Sequence, residues 1–214
     1  MMILTTKANQ PWAHLFLAHG AGAGMNSHFM QLTALALAAR GIQVSRFEFD
    51  YMQLATQLGQ RRPPDRMEKL LACYQQVLKD NTYELPLFIG GKSMGGRVAS
   101  MLVGSSEALA GICFGYPFHP AGKPDKIRTE HLYTINKPML IVQGTRDTLG
   151  NPQEIGHYAL PENIQLSYLA DGDHSFKPRK RSGFTFEQHF EQAMNTTTSF
   201  IKQHIPSHSN LDNR

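Results

Sequence analysis

The stretch Leu85-Pro86-Leu87-Phe88-Ile89-Gly90-Gly91-Lys92-Ser93-Met94-Gly95, continuing into Arg97-Val98-Ala99-Ser100-Met101-Leu102-Val103, decides how this chain is read. An apolar run passes through a glycine-rich turn into a segment of helical character. Gly91 to Gly95 spell G-x-S-x-G, and the strand–turn–helix setting gives that short pattern its meaning. A serine on so sharp a turn is held in a strained backbone conformation, with its hydroxyl pointing out of the sheet edge. The flanking glycines are needed because strand and helix come too close there for a Cβ. Ser93 is therefore read as a nucleophile. The plain alternative is a glycine-rich turn with a purely structural job.

Two nucleotide readings of the same region fail. Gly91-Lys92-Ser93 looks like the end of a phosphate-binding loop, but the first glycine of that loop would fall at Pro86. Proline offers a phosphate no N–H, and Leu87, Phe88 and Ile89 belong in a core. His19-Gly20-Ala21-Gly22-Ala23-Gly24 lacks the G-x-G-x-x-G spacing from its first glycine, and no acidic residue stands where a ribose would need it.

A chain of 214 residues with 41% hydrophobic and only 18% charged residues suits one folded domain. No apolar run of about 18 residues occurs and no basic-then-apolar leader opens the sequence, so a membrane partner and a secretory signal are not expected. Cys73 and Cys113 read as two free buried thiols. The expectation is a cytoplasmic protein. Its net charge of +4 is partly gathered in Arg61, Arg62 and Arg66 and in Lys177, Arg179, Lys180 and Arg181. Solvated loops explain both groups. No nucleic-acid module or basic–aromatic interleaving accompanies them, so nucleic acid is not an expected partner. The second group begins three residues after His174, which would let it steer anionic substrates.

Read along its length, the chain alternates strands and helices. A short opening segment suits an edge strand. His14 to Ala18 form a buried strand, and a helix capped by Asn26 or Ser27 ends at Gly41. Ile42 to Phe49 alternate as a strand, and a polar, basic loop through Arg61-Arg62-Pro63-Pro64 leads to a helix from about Asp65 to Lys79. After the serine turn and its helix, which ends near Gly104, strands fall at Leu109–Phe114, Pro138–Val142 and Ile164–Leu169. Helices are expected around Pro152 to Tyr158 and from Thr185 to His204. Residues 1–205 are expected to make one domain and residues 206–214 a polar tail. This is an α/β pattern: a mostly parallel sheet of about six to seven strands with helices on both faces.

In such sheets ligands bind at the carboxyl ends of the strands. A nucleophilic serine needs a base, an orienting acid and oxyanion donors. Asp147, right after the strand ending at Val142, is the expected acid. His174, right after the final strand, is the expected base. Asp173 is too near His174 in the chain to reach back to its Nδ1, and Asp50 is the alternative acid. His119 competes with His174 for notice and is kept as a pocket residue. The N–H groups of Met94 and Ala21, with Gly22 second to Ala21, are the expected oxyanion donors. No H-E-x-x-H or CxxC pattern occurs, and neither a metal nor a cofactor is expected.

Together these residues resemble the α/β-hydrolase superfamily from His14 through the last helix, with the nucleophile, acid and base in that family's chain order. His19-Gly20-Ala21-Gly22, Arg46 to Tyr51, Gly91 to Gly95, Gly115-Tyr116-Pro117-Phe118-His119, Gly144 to Asp147 and Asp173 to Pro178 carry a narrower likeness. They are similar to a small branch that includes a testis-expressed protein and a domain of a chromatin acetyltransferase-complex subunit. The likeness to dienelactone hydrolases, which carry cysteine in place of Ser93, is more distant. The resemblance implies a hydrolase fold and a Ser93–Asp147–His174 triad but no substrate; a small-molecule acyl compound is the expected partner. Some of the branch may have kept the fold as a binding or scaffold module. The short N-terminal part implies that one or both opening strands of the superfamily are missing. Gly115 to Lys137 are too few for a large cap, so an open site bordered by Tyr51, Met94, Tyr116, Phe118 and Phe176 is expected.

Overall fold

Three strands of this protein are buried at every position, which is what a parallel sheet covered on both faces requires. They are β2 (Ala13–Ala18), β5 (Ala110–Phe114) and β6 (Met139–Gly144). The computed structural model describes residues 2–80 and 84–206, so all of the polar tail except Pro206 lies outside the described residues. With β1 (Ile3–Thr6), β3 (Ile42–Phe47), β4 (Leu87–Lys92) and β7 (Ile164–Leu169), the strands form one seven-stranded sheet in the order β1-β3-β2-β4-β5-β6-β7. Among the described residues only β1 runs antiparallel, pairing Ile3 with Phe47; the other pairings are parallel.

The two-residue period of the strands sends side chains to two cores. Leu15 and Leu17 of β2 join Val44, Phe88, Ile112 and Leu140 beneath α1 (His28–Ala38) and the long closing helix α6 (Phe186–Gln203). Phe16 and Ala18 point the other way, joining Phe47 and Ile89 beneath α3 (Met67–Lys79) and α4 (Met94–Leu102). Tyr74 of α3 reaches through that second core. Its hydroxyl donates to the Phe16 carbonyl (2.7 Å) and accepts from the Gly90 N–H (3.1 Å). α6 begins with a capping box in which Thr185 and Gln188 satisfy each other's backbone. The one-turn helix α5 (Pro152–Ile155) has the same device at Asn151 and Glu154.

Residues 50–58, expected as loop, form a helix instead: α2 (Asp50–Leu58), closed by Gly59 at φ 62°. Tyr51 is its one buried residue, so nine residues carried too narrow an apolar stripe to stand out. β3 accordingly stops at Phe47, and the next helix starts at Met67. Between β5 and β6 the regular structure is a single 3-10 turn, Glu130–Thr134, with no cap domain. Among the described residues, no helix is long and apolar enough to cross a membrane.

Candidate active site

The turn from β4 into α4 is set by backbone contact. A Cβ on Gly91 would stand 2.4 Å from the Gly95 carbonyl carbon, and one on Gly95 2.5 Å from the His19 carbonyl oxygen. Only glycine permits that approach. Ser93 sits between them at φ 52°, ψ −116°, its N–H bonded to the Phe114 carbonyl of β5 at 3.0 Å. Such a conformation costs on the order of 1–3 kcal/mol and is stable only where its surroundings over-determine it.

Asp147 follows β6 and His174 follows β7, and their loops lock together. The Arg146 N–H donates to the Gly172 carbonyl at 2.8 Å, and a Cβ on Gly144 would stand 2.3 Å from that same oxygen. Ser93, His174 and Asp147 form one hydrogen-bonded chain. His174 Nε2 lies 2.9 Å from Ser93 Oγ, and His174 Nδ1 lies 2.7 Å from Asp147 Oδ2. Asp147 is 1% exposed, and both oxygens are held by further donors: Oδ2 also accepts from Gln143 Nε2 (3.0 Å) and Oδ1 from the Leu149 N–H (2.9 Å). An acceptor-only carboxylate forces the proton onto Nδ1, which leaves the Nε2 lone pair to receive the serine proton.

On the other side of Ser93 the β2 turn comes close: a Cβ on Gly20 would be 3.6 Å from Ser93 Cβ. The N–H groups of Ala21 and Met94 have no partner among the described residues. The turn is pinned from behind by His19. Burial pushes that imidazole down to about 4, so it is neutral, donating from Nδ1 to the Gly20 carbonyl (2.7 Å) and accepting at Nε2 from the Phe49 N–H (3.1 Å). The Tyr51 hydroxyl donates to the Ala21 carbonyl at 3.1 Å. Ala21 and Gly22 open a groove of about 440 Å³ walled by Met52, Ala55 and Thr56 of α2.

Several expected site residues lie elsewhere. Tyr116, Phe118 and Phe176 are fully buried and show a substrate no surface. Phe176 packs into the α1–α6 core, and Tyr116 and Phe118 into a third core with Ile141 and Ile155. Tyr51 is also buried: its hydroxyl holds the Ala21 carbonyl, and it borders a cavity on the α2 side with Asp50, Leu54 and Arg62, away from Ser93. His119 is enclosed beside Glu154, its Nδ1 donating to the Pro120 carbonyl. Asp50 lies 3.8 Å from Cys73 Sγ at the start of α2, and Asp173 accepts the N–H groups of Ser175 and Lys177 in its own turn. In the basic loop, Arg179 is bound to Asp171, which also pairs with Arg146. Among the described residues, no three His, Cys, Asp or Glu side chains gather as metal ligands.

Lys92 is a feature that sequence reasoning passed over. Its ammonium donates to the His174 carbonyl at 2.6 Å and lies 5.6 Å and 5.5 Å from the ring centres of Phe29 and Phe176. No carboxylate pairs with it directly among the described residues. Burial pushes it down to about 8, while the negative charge of Asp147 resists. The sign of the linkage follows. Below pH 8 both folded and unfolded chains carry the charge, and the fold bears the whole cost of enclosing it. As pH rises from 8 towards the free-lysine value, the unfolded chain holds more protons, stability rises and the cost disappears. Lys92→Met should therefore melt higher than the wild type at pH 7, by a difference that shrinks as pH rises above 8. Melting curves across pH 7 to 10 would check this, and a constant or inverted difference would refute it.

An α/β sheet with helices on both faces and a serine elbow at its carboxyl edge defines a hydrolase-type architecture. A model of the family described as alpha/beta hydrolase domain matches residues 11–202, and the chain belongs to that family. Among solved structures, it is similar to an alpha-beta serine hydrolase homologue from Coxiella burnetii (TM-score 0.68, 14% identity, covering 95% of this chain and 91% of that one). It is also similar to Est1E from Butyrivibrio proteoclasticus with ferulic acid bound (TM-score 0.69, 14% identity, 95% and 94%). A dienelactone hydrolase from Anabaena variabilis gives TM-score 0.69 at 16% identity, covering 95% and 92%. At these identities the shared property is the fold.

Proposed function

We propose that this protein is a serine hydrolase that cleaves small carboxylic esters, thioesters or lactones through an acyl-enzyme. The observation that carries the reading is the chain Ser93 Oγ–His174 Nε2 (2.9 Å) and His174 Nδ1–Asp147 Oδ2 (2.7 Å). In this mechanism Ser93 Oγ attacks the acyl carbon as its proton passes to His174 Nε2. Asp147 holds the ring and stabilises the imidazolium. The N–H groups of Met94 and Ala21 receive the oxyanion, supported by the positive end of α4. Collapse breaks the bond to the leaving group, which takes the proton from His174. Water then repeats the sequence in reverse roles and frees the acid.

Relatives in fold that are named serine hydrolase and dienelactone hydrolase support this reading. The uncapped edge between β5 and β6 favours a small or exposed ester over a long acyl chain. A cytoplasmic location and the narrower branch with the testis-expressed protein belong to the same reading. Incubation with a fluorophosphonate probe and peptide mapping tests it directly. An adduct on Ser93 is expected, and folded protein that takes up no label there would overturn the assignment.

A further inference from the structure

Arg97 and Arg128 have no carboxylate partner among the described residues, whereas Arg40, Arg146 and Arg179 each have one. Arg97 lies on the first turn of α4, with its N–H on the Ser93 carbonyl at 3.0 Å. Residues four apart share one helix face, and helical side chains lean towards the N-terminus, so Arg97 reaches back towards the end that carries Ser93. Its Nε is buried without a hydrogen-bond partner.

The residues around it are tightly organised. The Tyr116 hydroxyl, which the Arg97 guanidinium adjoins, donates to the Arg128 carbonyl at 2.9 Å, and the Arg128 N–H donates to the Phe118 carbonyl at 2.8 Å. Ser100 Oγ donates to the Arg97 carbonyl at 2.7 Å. With both hydroxyl protons committed, His131 Nε2 must donate, and it lies 2.8 Å from Ser100 Oγ and 3.2 Å from the Tyr116 oxygen. Burial followed by the Arg97 charge pushes His131 down to about 4, so the ring is neutral with its proton on Nε2. Two guanidinium groups remain, and they repel: burial and then Arg97 push Arg128 below its ordinary value. Like charges held together without a counter-charge are unfavourable until an anion joins them, and the guanidinium fork matches carboxylate and phosphate oxygens.

We propose that Arg97 and Arg128 form an anion subsite beside Ser93, taking a carboxylate or phosphate carried by the substrate near its scissile bond. The subsite rests on the serine-hydrolase reading for its place in a reaction, though not for its capacity to bind. It also differs from steering by the loop at 177–181, where Arg179 is already held by Asp171.

Two measurements test it. The first is the ratio of kcat/KM for p-nitrophenyl hemiglutarate to that for p-nitrophenyl butyrate. The ratio should fall by about tenfold or more in Arg97→Gln and in Arg128→Gln, as expected when a charged recognition group is lost. It should stay within about twofold in Lys180→Gln/Arg181→Gln, whose exposed charges act only at long range. The second is calorimetric titration of glutarate, and separately of inorganic phosphate, into Ser93→Ala protein with and without Arg97→Gln. Melting curves confirm that each variant is folded, and Arg128→Gln stands in if Arg97→Gln is not. Heat that disappears with the arginine supports the subsite, and the anion that gives it identifies the ligand class. No binding of either anion, or a ratio that responds only to the loop variant, overturns it. Arginine-dependent binding in a protein that hydrolyses no ester would sink the hydrolase reading and leave the subsite standing.

Discussion

Ser93→Ala should lower ester turnover by about 10⁴-fold or more, because nucleophile, base and acid act as a unit and the loss of one member removes most of what the set provides. The substitution removes one oxygen from a side chain whose backbone is fixed by other contacts. The glycines around it, the Phe114 carbonyl and the start of α4 all hold φ at 52° without the hydroxyl. Melting temperature should therefore stay close to that of the wild type while turnover collapses. A folded Ser93→Ala protein that keeps wild-type turnover would show that the hydroxyl is not the nucleophile.

Asp147→Asn should also lower the rate by around 10⁴-fold, by reversing the imidazole tautomer. The hydrogen bonds of the site dictate the direction. The Leu149 N–H donates to Oδ1, so the asparagine oxygen is needed there and its NH₂ is left at the Oδ2 position. That group faces His174 Nδ1 and Gln143 Nε2, the two atoms that now bond to Oδ2. An NH₂ can bond to Nδ1 only if the ring proton moves to Nε2, and Nε2 then has no lone pair for the Ser93 proton. The opposed Gln143 amide leaves a buried donor unsatisfied, which costs roughly 1–3 kcal/mol. Asp147→Asn should thus melt lower as well as work more slowly. Asp50→Asn, at the start of α2, should leave the rate unchanged. The reverse pattern would mean that the acid lies on β3's side of the sheet.

The parts of this fold that could be read from the sequence are those where burial is complete. His14 to Ala18, Leu109 to Phe114 and Pro138 to Val142 are nearly continuous apolar runs, because parallel strands with both faces covered leave no polar positions to interrupt them. The positions of Ser93, Asp147 and His174 were legible for a related reason: each lies in the loop after a strand, Ser93 and Asp147 after buried apolar runs and His174 after the alternating strand β7, and the carboxyl ends of parallel strands converge. Side-chain direction was not legible. Tyr116, Phe118 and Phe176 also follow strands, yet they turn inward, and nothing in their local spacing separates a core ring from a pocket ring. The support behind the site was hidden too. Gln143 looks like the polar end of a strand and Lys92 like the variable position of a pentapeptide, until tertiary contacts place one on Asp147 and the other under His174. For α2 a signal did exist in Gly59, whose left-handed conformation closes the helix, but a single glycine after a mostly polar segment carries little weight alone.

The strand order has a consequence in time. Ser93 rides on β4, in the middle of the sheet, whereas His174 arrives with β7 at the far edge, beyond the strand that brings Asp147. On the proposed mechanism, a chain in which β7 is not seated against β6 has Ser93 in place without its base. The elbow can be fully formed while the protein is inert. Chemical reactivity at Ser93 would then report whether Gly172 has settled against Gly144 and the edge of the sheet is closed.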